Sequence, residues 1–206
     1  MSFDAINRAR LGWILLMAAF MIGGYFGIGH YNLDRARYYD PSLALEAHIP
    51  FVPIAIFAYL LVYLVLLTGF LAIPRAEQPY FRRAVGWLAL NFVIAYAIFL
   101  LVPVKALHRP PIDPSGGFAL AITAWYYHND PPANLLPSLH VQMGAIGGLL
   151  CLRRGGWLAV AGPVAAAVIA VSVLLVKQHY LADIALALLI VALTARLCRV
   201  RPFHSR

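Results

Sequence analysis

The sequence predicts an all-α, polytopic membrane protein with six transmembrane helices and both termini cytoplasmic. Three observations predict it. Of 206 residues, 63% are hydrophobic and 12% charged, about half the charged share of a soluble domain. Apolar runs near the ~20 residues that cross a bilayer recur six times, at 11–29, 51–73, 84–104, 138–152, 157–176 and 184–198. Basic residues gather on alternate connections. Arg8 and Arg10, then Arg75, Arg82 and Arg83, then Arg153 and Arg154, then Arg196, Arg199, Arg201 and Arg206 put eleven of sixteen Lys and Arg on one side, as the positive-inside rule asks. The net charge of +8 is thus a topology signal and not a nucleic-acid patch. The basic tail also suits anionic headgroups.

The elements follow in order. Two arginines precede the first run, but it continues through Gly23-Gly24-Tyr25-Phe26 with no small-residue cleavage site, so it reads as an uncleaved first span. The fourth and sixth runs are short, and their ends are expected to extend into the flanking segments. Between spans three and four, seven of the fourteen prolines lie from Pro103 to Pro137, which excludes one continuous helix over residues 105–137. Within that loop GGFALAITAWYYH is apolar and too short to span. It reads as a short interfacial helix, with Trp125, Tyr126 and Tyr127 at headgroup level. Gly144, Gly147, Gly148 and the stretch AVAGPVAAAVIAV predict close packing of spans four and five, with Pro163 a candidate kink. Cys151 and Cys198 offer neither a disulfide framework nor zinc spacing. The chain is one integral membrane domain, 1–206, with its chemistry in about 103–184.

The costly polar residues fall at one membrane boundary. Lys105, His108 and Arg109 leave span three, Ser138 and His140 open span four, and Lys177, His179 and Asp183 bracket the turn before span six. His179 and Asp183 are four apart, a spacing that shares a helical face if span six starts there. The carboxylate then fixes the imidazole tautomer and leaves the other nitrogen free as a base or nucleophile. Ser138 suits a helix cap, and the helix start behind it is an anion site with His140 as proton donor. Arg109, stiffened by Pro110-Pro111, suits a bidentate grip on phosphate. Asp34, Glu46, His48, Asp113, His128 and Asp130 read as solvated loop residues.

Arg109-Pro110, Pro137-Ser138-Leu139-His140 and His179 with Asp183 resemble, in order, the three motifs of the type 2 phosphatidic acid phosphatase superfamily: Lys-x6-Arg-Pro, Pro-Ser-Gly-His and Ser-Arg-x5-His-x3-Asp. The wording of residues 49–51, NDPPANLLPSLHV and KQHYLAD is similar to its inositol phosphorylceramide synthase-like branch. Departures are specific. Val102 stands where the first-motif lysine belongs, Leu139 replaces the glycine, and Ser172 matches while Val173 replaces the arginine.

The resemblance implies a metal-independent lipid phosphatase or phosphotransferase without cofactor, acting on a phosphorylated lipid. It implies His179 as nucleophile oriented by Asp183, and His140 as acid and then base. Arg109 would hold the phosphoryl oxygens, with Lys105, Lys177 and Ser138 making up for the missing cations. The site would face outward from a bacterial inner membrane. Water as acceptor gives hydrolysis, the reading favoured by the small outer loops; an alcohol gives transfer. Two other classes stay open: a metal site of His140, His179 and Asp183, and a non-catalytic membrane scaffold.

Overall fold

A computed structural model describes residues 3–200; Arg201 and Arg206 of the basic tail lie outside them. The chain is all-helical: α1 (Phe3–Leu33), α2 (Ala55–Ala72), α3 (Gln78–Leu101), α4 (Phe118–Asn129), α5 (Leu139–Arg154), α6 (Leu158–Leu175) and α7 (Leu181–Leu197), with short 3-10 turns at Ala44–His48 and Pro114–Gly116. No strand forms among the described residues, only an isolated bridge between Tyr39 and Val104.

The six apolar runs coincide with α1, α2, α3, α5, α6 and α7. Four of these, α1, α2, α3 and α6, are long and apolar enough to cross a membrane. Their outward faces keep Leu15, Leu64, Leu71, Leu101 and Val160 exposed, the surface expected of helices that meet lipid. α5 and α7 have 16 and 17 residues, about 24 and 26 Å of helix. α3 starts earlier than its apolar run because Pro79 sits in its first turn, where its missing N–H is not needed. α6 runs continuously through Pro163.

Small residues set the core. A Cβ on Gly69 of α2 would lie 2.6 Å from the Gly147 carbonyl oxygen, and one on Gly147 2.6 Å from that of Val65. On the other side of α5, a Cβ on Gly148 would lie 3.0 Å from the Gly162 oxygen of α6. α5 is therefore held between α2 and α6 at backbone contact, as the glycine clusters predict. α7 joins α3 by a polar tie: Trp87 Nε1 and Asn91 Nδ2 both donate to Thr194 Oγ1 at 2.9 Å. α1 lies on α3, where Tyr96 donates to the Met21 oxygen at 2.8 Å.

The two ends of this assembly differ in kind. At one end Arg10 donates to the Ile73 and Pro74 oxygens, Arg75 to Asn7 at 2.8 Å, and Arg153 pairs with Glu77 at 2.6 Å. The other end gathers residues 34–54, 102–138 and 176–180. There Asn134 takes a left-handed conformation (φ 64), donates to the Tyr25 oxygen and accepts from Asn32, both at 2.9 Å. Asn32 also donates to the Phe99 oxygen at 2.9 Å. The proline-rich loop is thereby fastened to α1 and α3 just before Ser138.

Candidate functional site

α5 begins where Ser138 accepts a hydrogen bond from the Val141 amide at 3.3 Å, the cap expected of it. The Ser138 amide donates to the Asp183 backbone oxygen at 3.2 Å, which pins the start of α5 to the start of α7. His140 is consequently buried. Its ring stacks on Tyr59 at 4.0 Å between centroids, 25° between planes, with Tyr63 edge-on at 6.1 Å. Its Nε2 is buried without a partner among the described residues. His140 borders an apolar cavity of about 430 Å³ with Met21, Tyr25, Leu60, Tyr63 and Asp130.

His179 reaches the same place from α6. The chain reverses after Leu175 through Lys177 (φ 53), and the amides of Gln178 and His179 both donate to the Val173 oxygen, at 3.0 and 3.2 Å. The expected shared helical face for His179 and Asp183 is corrected here. α7 starts only at Leu181, with Tyr180 as its cap, so His179 lies outside the helix. Asp183, third in the helix, reaches back instead. Its Oδ2 accepts from the Tyr180 amide at 2.8 Å and meets His179 Nδ1 at 3.1 Å, as the acidic member of a capping box does. The consequence for the imidazole is the expected one: with Nδ1–H on the carboxylate, Nε2 carries the lone pair. The ring centroids of His140 and His179 lie 6.2 Å apart, with 53° between the planes, so the two imidazoles are neighbours.

Arg109 is already occupied. Nη2 donates to Asp130 Oδ2 at 3.2 Å and to Gln178 Oε1, while Nη1 donates to the backbone oxygens of Asp130 and Tyr127 at 3.2 and 3.4 Å. The guanidinium lies 4.8 Å over the Tyr127 ring, and its Nε is buried without a partner among the described residues. The solvated-loop reading of Asp130 is therefore wrong. Its side chain is 11% exposed and also accepts from the Tyr25 hydroxyl at 2.8 Å. Burial pushes its carboxyl above the usual range, against the pull of Arg109 and Tyr25. Glu46 is not a solvated residue either: its carboxylate accepts from the Leu181 and Leu43 amides, so it helps to start α7.

The two lysines part company. Lys177 Nζ donates to the Ile49 and Glu46 oxygens and shares with His179, Ser42, Glu46 and His108 a cavity of about 360 Å³. Lys105 lies 5.0 Å over the Tyr38 ring. Ser172 bonds its own helix at Ile169. Among the described residues no three His, Cys, Asp or Glu side chains converge as a metal site.

Asp130, Gln178 and Tyr59 are the site neighbours that sequence reasoning missed. A buried arginine demands a buried acid, which was the one signal pointing toward Asp130; nothing in the sequence pairs it with a particular carboxylate.

Set against known proteins, the chain matches no family model, no curated protein and no solved structure.

Proposed function

We propose that this is a membrane lipid phosphate phosphatase, hydrolysing a phosphomonoester or pyrophosphate lipid through a phosphohistidine. In this reading six helices cross the membrane, with α5 enclosed between α2 and α6, α4 in the interface, both termini cytoplasmic and the histidine end outward from a bacterial inner membrane. The observation that carries the reading is the His179–Asp183 pair with the His140 ring beside it, 6.2 Å between centroids, at the end opposite the arginine cluster.

His179 Nε2 attacks phosphorus as the bond to the lipid oxygen breaks, and protonated His140 gives that oxygen its proton. His140 then takes a proton from water as the water oxygen attacks phosphorus. The P–N bond breaks, and inorganic phosphate leaves with His179 restored. Arg109, through its charge and the Nε–H its partners leave unspent, stabilises charge on the phosphoryl oxygens, commonly the larger part of such catalysis.

Purified protein in detergent is to be incubated with phosphorylated lipids in the presence of EDTA, beside His179→Ala. The reading requires phosphate release that EDTA leaves intact and the variant loses. Equal turnover by His179→Ala would sink it.

One observation favours a second reading, transfer to an alcohol. The segment 42–49 walls a cavity at His179 with Glu46, His108 and Lys177, room for an acceptor beside the nucleophile. A new headgroup-bearing lipid formed only with added myo-inositol would select transfer over hydrolysis.

A further inference from the structure

Gln178 carries the further inference, which rests on the phosphoryl-transfer reading above. Its side chain is buried, at 2% exposure. Its amide oxygen accepts from Arg109 Nη2. A guanidinium only donates, so the atom facing Arg109 must be the oxygen, and this fixes the orientation of the amide. The NH2 group is thereby turned to the other side, and there Gln178 Nε2 is buried with no acceptor among the described residues. A buried donor without a partner is costly to a fold. Two further nitrogens in this neighbourhood share that state: Arg109 Nε, on the group Gln178 holds, and His140 Nε2, 6.2 Å ring to ring from the residue after Gln178. The backbone of Gln178 is also fixed, by the bond from its amide to the Val173 oxygen. A rigid carboxamide on the residue before the proposed nucleophile, with its oxygen spent on an arginine and its N–H groups unspent among the described residues, suits a ligand rich in acceptor oxygens.

We propose that Gln178 donates its side-chain N–H to a phosphoryl oxygen while its carbonyl orients Arg109 on the same group, a binding role in addition to that of the arginine. A neutral amide adds a hydrogen bond here without a second buried cation, whose desolvation would oppose it.

Gln178→Glu separates this role from that of a prop for Arg109. A carboxylate accepts from the guanidinium at least as well, so a prop survives the change, while the donor is lost and a negative charge faces the anion. Wild type and Gln178→Glu are to be compared in detergent by two readouts: lipid phosphate turnover, and the rise in thermal midpoint on titration with inorganic phosphate. The expected result is a fall of about 10²-fold or more in kcat/KM, the scale of losing one oxyanion donor, with the phosphate-induced rise abolished and the phosphate-free midpoint kept. Gln178→Met, which removes donor and acceptor without charge, is to fall less. Turnover and phosphate stabilisation both retained in Gln178→Glu overturn the inference and leave the phosphatase reading intact. A wild type that phosphate stabilises and Gln178→Glu abolishes, with no lipid turned over, supports the inference and sinks the phosphatase reading. A wild type that phosphate does not stabilise at all overturns the inference.

Discussion

At the arginine-rich end, Arg10 and Arg153 reach backbone carbonyls and Glu77 from part-buried positions. At the histidine end, Arg109 is nearly enclosed, holds Asp130 and Gln178, and still keeps a buried Nε without a partner. Among the described residues the first end has such an atom in Arg10 Nε, and the second has them in Arg109 Nε, Gln178 Nε2, His140 Nε2, Asp183 Oδ1 and Asn32 Oδ1, while Asn91 and Gln142 carry others inside α3 and α5. Folding satisfies buried polar groups almost everywhere. Under the function proposed above, the unpartnered atoms of Arg109, Gln178 and His140 are the ones a bound phosphoryl group would satisfy. The same residue type thus ties helices together at one end and, under the function proposed above, meets the ligand at the other.

This contrast breaks first if turnover does not divide the ends. His140→Gln is expected to lower lipid phosphate release by about 10²–10⁴-fold, the usual worth of a general acid–base, while Arg153→Gln leaves it unchanged; comparable losses in both would erase the division. Next in size is the response of the two ion pairs in denaturant titrations in mixed micelles. Asp130→Ala strands the buried Arg109 and should cost about 3–5 kcal/mol. Glu77→Gln, in a pair with side chains 16% and 28% exposed, should cost under about 1 kcal/mol. A third measurement sharpens the frame that holds the ends apart. Gly147→Ala puts a methyl against the Val65 carbonyl and should destabilise by about 1–3 kcal/mol. Gly86→Ala meets nothing within 4 Å and should stabilise by up to about 1 kcal/mol through helix propensity. Similar midpoints for these two variants would mean that α2 and α5 part readily.

Much of the fold was legible because its signals are local. Each of the six apolar runs became a helix, and Gly147 and Gly148 announced the tight packing of α5 by composition alone. Ser138, His140, His179 and Asp183 stand out by motif spacing, and the fold brings them together at one end. What stayed hidden depends on partners far along the chain. Asp130 looks like any loop acid until the fold buries it 21 residues from Arg109. Glu46 caps a helix 135 residues away. Gln178 is silent because an uncharged side chain beside a histidine carries no pattern. The His179–Asp183 spacing was read correctly and its geometry was not, since four residues span a capping turn as readily as a turn of helix.

That capping turn bears on how such a protein changes over time. A single oxygen of Asp183 starts α7 and orients His179. An asparagine at 183 still accepts from the Tyr180 amide, so the helix would begin where it does now, while the negative charge that keeps the proton on Nδ1 would be gone. One substitution therefore separates a working enzyme, under the function proposed above, from a folded pseudoenzyme that still occupies its membrane and still binds its lipid.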